Sequence, residues 1–340
     1  MCHDPSGNRI PRGPAMKTSI LFTSKLGPLM KDFVKEKRSM GFCYDTEERL
    51  LGQFDRFIVA NGFNDGTFSR PMISEFSMQL PTEGKNYRNK RMVVVRQFAY
   101  YLTSIGIDAC VPESGGASSE KPIPYLMDSQ ELSEFFSCVD RYSPHRRQDQ
   151  MFAIEYSCLF RVIYCCGLRI SEACNLRCDD VDLSMGILRI LHSKGDKDRL
   201  VYLSEDCRQL CRSYDAAMND YLPSRIWFFP GKKHKSLPIT TADAKFKYFW
   251  NRRCGAKTDC KSPTVHTLRH LFVVNTINNW IKEGVDVDAK LMYLVKYLGH
   301  ASAPETLYYY HQVVFSGSLV SGNDSTRARV IPEVQHHEEA

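Results

Sequence analysis

Residues 109–124 constrain the fold more than any other segment of this chain. They hold three prolines, two glycines and three serines, a composition typical of a linker between folded units. The length of 340 residues agrees with such a division, since domains average roughly 150 residues. The sequence therefore predicts a helical domain at residues 16–108 and a second domain at 125–315, with a flexible leader at 1–15 and a C-terminal tail at 316–340.

The first domain has apolar residues at helical spacing, interrupted by glycines. This pattern predicts four helices, at Leu26–Met40, Thr46–Ala60, Ser69–Leu80 and Asn86–Ile105. Four short helices of this kind make a small bundle.

The second domain mixes helical and strand-like patterns. Asp128 and Glu131 have the spacing of a helix-capping box, and a long helix is predicted over Arg147–Cys166, ended by Gly167. Short strands are predicted at Val181–Leu183, Ile187–Leu191 and Leu200–Leu203. Residues after Thr240 are predicted to be helical again, with breaks at Gly255, Gly284 and Gly299. The predicted fold class is mainly α, with a small antiparallel β-sheet in the second domain.

Composition excludes several classes of protein. No apolar run approaches the ~18 residues of a membrane-spanning helix, and the N-terminus lacks the apolar core of a secretory signal. The 13 cysteines are odd in number and lie partly in apolar periodic segments, which favours free thiols in a reducing cytosol over a disulfide framework. Basic residues outnumber acidic ones by 45 to 39, which is compatible with a nucleic-acid partner.

The last predicted helix of the first domain begins with a run of positive charge. No acidic residue occurs between positions 85 and 96, whereas five basic ones do: Lys85, Arg88, Lys90, Arg91 and Arg96. A solvated helix face would account for this run, and so would a surface that follows nucleic-acid phosphates. Four of them are candidate DNA contacts: Lys85, Arg88, Lys90 and Arg91.

Four motifs in the second domain carry residues suited to chemistry on a phosphate. In chain order they are Gly167-Leu168-Arg169-Ile170-Ser171-Glu172, the basic turn Ser193-Lys194-Gly195-Asp196-Lys197-Asp198-Arg199, His266-Thr267-Leu268-Arg269-His270, and Leu298-Gly299-His300 followed by Tyr308-Tyr309-Tyr310-His311. Taken singly, each has an ordinary structural explanation, such as an ion pair between Arg169 and Glu172 or packing of the histidines.

A zinc site is the alternative explanation for part of this region. Cys254, Cys260, His266 and His270 are ligand types that zinc accepts. Structural zinc sites usually contain a tight pair of cysteines two to four positions apart, whereas five residues separate these two. The sequence therefore predicts no metal site and no other cofactor.

Taken together and in this order, the four motifs resemble the tyrosine recombinase (phage integrase) family, including mobile-element integrases and Xer-like recombinases without an arm-binding domain. The resemblance extends over residues 125–315. It implies that the second domain is catalytic, with the DNA breaking-rejoining fold. It also implies that the helical bundle is a core-binding domain of the SAM-like type.

The resemblance implies a catalytic set whose residue types suit phosphodiester cleavage. Arg169 and Arg269 would bind the non-bridging oxygens, where negative charge grows in the transition state. His266 and His300 would hydrogen-bond the same phosphate or move a proton. Lys194 would protonate the departing 5′ oxygen as the general acid.

Tyr309 is the implied nucleophile, which would attack phosphorus and form a 3′-phosphotyrosine. It lies nine residues after His300 and two before His311, as in the family. Its neighbours Tyr308 and Tyr310 miss both spacings by one. A capping pattern at residues 302–305 predicts a helix that carries all three tyrosines.

Three further charged residues have predicted roles. Lys197 and Arg199, in the basic turn, are candidate DNA contacts. Glu172 is expected to be a buried partner of the arginine region rather than a catalyst.

The predicted function is site-specific DNA recombination for integration, excision or transposition of a mobile element. The expected partners are duplex DNA clamped between the two domains, further copies of the chain in a synaptic homotetramer, and accessory DNA-bending or directionality proteins; no membrane partner is expected. The expected location is the cytoplasm, at the nucleoid if the host is a bacterium. Two alternatives stay open: type IB topoisomerase-like DNA relaxation, or a non-catalytic DNA-binding regulator with the same fold.

Overall fold

A computed structural model of the chain describes residues 20–80, 83–113, 125–144, 146, 149–191, 198–232, 235–253, 262–300 and 306. The chain divides into two compact units, Met1–Pro122 and Ile123–Ala340. Each unit has its own hydrophobic core.

The first unit is a bundle of four helices, as the sequence predicts. They are α1 (Gly27–Ser39), α2 (Asp45–Ala60), α3 (Arg70–Ser77) and α4 (Lys85–Ser104). Prolines in the first turns of α1 and α3 suit positions whose amide protons need no partner within the helix. The aromatic rings of Phe33, Phe54 and Phe98 are fully buried between the helices and form the centre of this core.

The second unit is mostly helical. Its helices are α5 (Ser129–Asp140), α6 (Met151–Cys166), α7 (Ile170–Cys174), α8 (Glu205–Tyr221), α9 (Ile239–Arg252), α10 (Val265–Lys282) and α11 (Val287–Leu298). The predicted capping box of Asp128 and Glu131 is present at the start of α5. Helix α6 ends at Gly167 as predicted but begins at Met151, four residues later than predicted.

A small antiparallel sheet follows α7, in the order β1-β2-β3. The strands are β1 (Val181–Asp182), β2 (Ile187–Ile190) and β3 (Arg199–Tyr202). In the register, Ile190 is opposite Arg199 and Leu188 is opposite Val201. Alternate side chains of β2 and β3 are buried, so one face of the sheet covers the core. The predicted fold class is confirmed.

Helix α6 lies at the centre of the second core, where it packs against α5, α8 and α10. Helix α8 was not predicted from the sequence. The helix begins at a Ser204 cap that accepts a hydrogen bond from the Cys207 amide. Its buried face consists of Cys207, Cys211, Tyr214 and Met218. These residues have helical spacing, but none of them is a leucine or an isoleucine, the residues that usually indicate a buried helix face.

The cysteines that the structure describes are free thiols, and several of them lie in this core. Cys158 and Cys166 of α6 pack with Cys207 and Cys211 of α8 in one hydrophobic cluster. Among the described helices, none combines the length and the apolar character that crossing a membrane requires.

Candidate phosphate-binding site

Helices α6 and α11 both end in a glycine with left-handed backbone, Gly167 at φ 61° and Gly299 at φ 64°. A Cβ on Gly167 would lie 2.5 Å from the ring of Phe272, so a side chain there would need a rearrangement of the core. A Cβ on Gly299 would lie 3.1 Å from Nη1 of Arg199. Both glycine carbonyls accept hydrogen bonds from arginine side chains, which satisfies acceptors that a helix end leaves open.

Arg269, on α10, holds the two helix ends together. Its Nη1 donates to the carbonyl of Gly167 at 2.7 Å, and its Nη2 donates to the carbonyl of Leu298 at 2.8 Å. The side chain is only 1% exposed. The motif that opens α10 therefore meets the motifs that follow α6 and end α11.

Arg169 makes the reciprocal contact from the loop after α6. Its Nη2 donates to the carbonyl of Gly299 at 2.8 Å, and its Nη1 donates to Oε1 of Glu172 at 2.8 Å. Its side chain is 19% exposed, so Arg169 presents more surface to solvent than Arg269 does.

Glu172 is a buried carboxylate shared by several arginines. It accepts hydrogen bonds from Arg169, through the side chain and the backbone amide, and from both terminal nitrogens of Arg199. Burial alone would raise the pKa of Glu172, but the hydrogen bonds and charge of Arg199, together with those of Arg169, hold it below its usual value. The expected role of Glu172 as a buried arginine partner is confirmed.

His300 follows Gly299 directly and is 7% exposed. Its Nε2 lies 2.9 Å from Nη2 of Arg269, and its Nδ1 lies 2.8 Å from Oγ1 of Thr306. Because a guanidinium can only donate, Nε2 is assigned as the acceptor and the proton of the neutral ring belongs on Nδ1. Thr306 is fully buried and was not predicted as a site residue, because its one signal in the sequence is its place between His300 and the tyrosines.

His266 and His270 form an edge-to-face pair on α10, with ring centroids 4.5 Å apart. Although His266 is exposed to solvent, desolvation and then the charges of Arg269 and Arg169 lower its pKa to about 4. Desolvation and then His266 and Arg269 lower the pKa of the buried His270 to about 3. Both rings are therefore neutral near pH 7, and a neutral imidazole can both donate and accept a hydrogen bond.

Several predicted site residues lie outside the described ranges. They are Lys194 and Lys197 of the basic turn, Tyr309 with its neighbouring tyrosines, and the cysteines of the alternative zinc site, Cys254 and Cys260. Within the part of the chain that is described, no group of three or more His, Cys, Asp or Glu residues is arranged to hold a metal ion.

Two predicted DNA contacts, Arg91 and Arg199, are internal residues instead. The Arg91 side chain is 4% exposed, with its Nε 2.6 Å from the carboxylate of Glu83; its terminal nitrogens also donate to the carbonyls of Phe76 and Met78. Arg199 is 8% exposed and bound to Glu172. Both guanidiniums are engaged by acceptors of the protein itself, so neither is a surface cation.

The other candidate DNA contacts on α4 are more accessible to solvent than Arg91. Lys85 and Lys90 are exposed. Arg88 is half-buried and donates through Nε to the carbonyl of Ser77, which holds the base of its guanidinium against the end of α3.

Arg169, Arg269 and His300 form one hydrogen-bonded network around two helix ends, with His266 beside them on α10. Three arginines around a single carboxylate leave an excess of positive charge, since the Glu172 carboxylate lies 2.8 Å from Arg169, 2.8 Å from Arg199 and 3.9 Å from Arg269. Such an arrangement suits a phosphate, whose oxygens accept several charge-assisted hydrogen bonds at once.

The profile described as "Phage integrase family" matches residues 126–314, which is more than half of the chain. The chain belongs to this family. It is a tyrosine-type site-specific DNA recombinase.

Two curated relatives agree with this membership. The "Putative integrase/recombinase y4rE" of Sinorhizobium fredii is 28% identical over 294 residues, which cover 85% of this chain and 92% of that protein. The tyrosine recombinase XerA of Thermococcus kodakarensis is 26% identical over 235 residues, covering 69% and 74%.

The fold of the chain is similar to that of two recombinases solved with DNA. The XerH recombinase in a post-cleavage complex with a palindromic difH substrate has a TM-score of 0.59 and 19% identity, with 86% of this chain and 83% of that chain covered. A lambda integrase dimer bound to a COC′ core site has a TM-score of 0.56 and 14% identity, with 82% and 96% covered.

Proposed function

We propose that Arg169, Arg269, His266 and His300 bind the scissile phosphate of the recombination site. The observation that carries this proposal is the position of Arg269, which bonds to both helix ends and to His300. Side chains held in this way are already oriented when charge develops on the phosphate, which favours strong electrostatic catalysis. His300, whose two ring nitrogens bond to Arg269 and Thr306, would exchange one of these bonds for a bond to a phosphate oxygen.

Tyr309 and Lys194 complete the proposed reaction on the grounds of sequence. The Tyr309 hydroxyl oxygen attacks phosphorus, its proton passes to a neutral imidazole of the site, and the bond from phosphorus to the 5′ oxygen breaks. Lys194 supplies the proton that the 5′ oxygen gains. A 5′-hydroxyl from the partner duplex then attacks the 3′-phosphotyrosine and releases the tyrosine. The balance requires no water, metal or nucleotide cofactor.

Lys85, Arg88 and Lys90 are the proposed phosphate contacts of the first domain. The exposure of both lysines supports this role, since a counterion-releasing contact needs a cation that solvent can reach. Lys197 is the corresponding contact proposed for the basic turn of the second domain.

The working assembly is proposed to be a homotetramer, because strand exchange between two duplexes requires four active protomers. The segment after the nucleophile contains Val313, Val314, Phe315, Leu319 and Val320 in a tail that is otherwise polar. Docking of this segment on a neighbouring protomer would bury it. Deletion of residues 313–340 is therefore expected to preserve site binding and abolish recombination, and recombination by the truncated chain would contradict the docking role.

The biological role proposed is movement of a mobile element in the cytoplasm, at the nucleoid if the host is a bacterium, with accessory DNA-bending or directionality proteins. The relatives named as integrase/recombinase support it. An element with inverted half-sites beside the coding sequence would provide the substrate.

The decisive experiment is covalent capture on a nicked suicide substrate. Tyr309→Phe should abolish the protein–DNA adduct while leaving binding in a gel-shift assay intact. Neighbouring helix positions diverge by about 100°, so Tyr308→Phe and Tyr310→Phe are matched controls that should still form it. An adduct peptide mapped by mass spectrometry to Tyr308 or Tyr310 would overturn the assignment.

A further inference from the structure

Arg199 is the first residue of β3 and lies at the base of the basic turn, yet its guanidinium points into the protein. Its Nη1 and Nη2 donate to the two oxygens of Glu172 at 2.9 and 2.8 Å. Its Nε donates to the carbonyl of Tyr297 at 2.7 Å. One side chain thus joins β3 to α7 and to the last turn of α11.

The bonds from Arg199 complete the hydrogen bonding of Glu172. A carboxylate has about four acceptor positions, and the four bonds from Arg169 and Arg199 fill them. Without Arg199, the open positions of Glu172 would compete with a phosphate for the donors of Arg169. They would also attract Nη1 of Arg269, which lies 3.9 Å from Oε2.

The bond from Arg199 to Tyr297 acts on the other side of the site. Tyr297 lies two residues before Gly299, whose carbonyl accepts from Arg169 and after which His300 follows. Arg199 also packs closely against Gly299, where a Cβ would lie 3.1 Å from Nη1. Its loss would release both the carboxylate that orients Arg169 and the helix end that carries His300.

We propose that Arg199 is a positioning residue of the recombination site: it saturates Glu172 and fixes the end of α11, so that Arg169 and His300 are presented to the scissile phosphate. It contacts no DNA. This inference rests on the proposed function, in which Arg169 and His300 bind that phosphate.

The experiment compares single-turnover cleavage of two suicide substrates. One has a normal scissile phosphate, and the other has a methylphosphonate, in which a neutral methyl group replaces a charged non-bridging oxygen. Arg199→Gln should slow cleavage of the phosphate by about 10- to 100-fold, as small misplacements of catalytic groups do. On the methylphosphonate the loss should shrink, because less charge remains for a misplaced arginine to neutralise.

Two further variants make the comparison specific. Arg199→Lys keeps the positive charge but cannot form the bidentate hydrogen bond to Glu172. Its rate of cleavage should therefore lie between those of the parent and of Arg199→Gln. It also provides a second folded protein if the glutamine variant is unstable. Arg189→Gln changes an exposed arginine of the adjacent strand β2 and should cleave both substrates at the normal rates.

Three other results would contradict the positioning role of Arg199. An equal loss on both substrates would mean that Arg199 only stabilises the fold, and an unchanged rate would mean that it has no role in cleavage. A decrease of ~1 in the salt dependence of DNA binding would make Arg199 a phosphate contact. If Arg169→Ala showed the same loss on both substrates, the proposed phosphate site itself would be wrong, and the role of Arg199 with it.

Discussion

Nη1 of Arg269 donates a 2.7 Å hydrogen bond to the carbonyl oxygen of Gly167, a residue 102 positions earlier in the chain. A second arginine makes the matching contact: Arg169, in the loop after α6, donates to the carbonyl of Gly299 at the end of α11, 130 positions later. Each glycine turns the backbone out of its helix and leaves a carbonyl that accepts from an arginine. The two arginines are therefore oriented by helix ends, and the geometry of the site depends on the backbone of both glycines.

Gly167→Ala tests how strongly the stability of the fold depends on the left-handed backbone of this glycine. Left-handed backbone costs a non-glycine residue about 1–2 kcal/mol, and the added methyl would overlap the Phe272 ring, so the free energy of unfolding should fall by about 2–4 kcal/mol. Gly284→Ala is the matched control: its φ is 69°, but nothing lies within 4 Å of the added Cβ. Urea denaturation should show a loss of only about 1–2 kcal/mol there. Equal losses would mean that Phe272 moves aside freely.

The helices could be predicted where a run of apolar residues at helical spacing ended at a glycine. The end of α6 at Gly167 is the clearest case, since the αL cap and the change of pattern coincide. Helix α8 was missed because its buried face uses Cys207, Cys211 and Tyr214, which a search for aliphatic residues does not weigh.

The charges were harder to assign, because sequence shows a cation but not its partner. The partner of Arg91 is Glu83, which lies two positions outside the acid-free run of residues 85–96; a wider window would have indicated it. The partner of Arg199 is Glu172, 27 positions away. Only the fold brings β3 against α7, so no local pattern separates this internal arginine from the lysines near it in the sequence.

Glu155 provides a prediction about pH and stability. Its side chain is fully buried in α6, and neither carboxyl oxygen has a hydrogen-bond partner among the described residues. Burial raises the pKa of Glu155 well above its ordinary value, and the charge of Arg225 opposes this shift without cancelling it. The folded protein therefore keeps a proton that the unfolded chain releases above about pH 4.5, and stability falls as the pH rises from there towards the raised pKa.

Glu155→Gln should remove this dependence, because the amide does not titrate. The stability of the variant relative to the parent should rise with pH by up to about 1.4 kcal/mol per unit, whatever the constant cost of burying the amide. Urea denaturation at pH 5, 6, 7 and 8 measures it. Glu283→Gln, at an exposed position, is the control and should track the parent, and parallel curves for Glu155→Gln would show that the acid is ionised in the fold.

The buried thiols should be inert in the folded protein. A hydrogen bond with Cys207, followed by burial, raises the pKa of Cys166 well above its ordinary value, and a hydrogen bond with Cys158 does the same for Cys211. Since the thiolate is the reactive form, N-ethylmaleimide should leave both unlabelled in native protein and label them in urea. The exposed Cys43 is the internal control and should be labelled in both states. Native labelling of Cys166, mapped by mass spectrometry, would show that α6 and α8 separate readily.

Lys90 and Arg91 are adjacent on α4 but should respond oppositely to substitution. Lys90 is exposed, so Lys90→Ala should lower the salt dependence of DNA binding by ~1 and leave the melting temperature unchanged. The Arg91 side chain is 4% exposed and paired with a Glu83 side chain that is 3% exposed. Arg91→Ala should therefore destabilise the first domain by about 3–5 kcal/mol, because it leaves a buried carboxylate unpaired.

The salt slope of the Arg91 variant is measured at a temperature where the domain is still folded, and it should equal that of the parent. The double variant with Glu83→Gln is the control, since neutralising the acid should restore part of the lost stability without altering the slope. A lower slope for Arg91→Ala would show that its guanidinium leaves Glu83 to contact phosphate. An unchanged salt slope for Lys90→Ala would show that Lys90 is a solvated surface charge that does not contact phosphate.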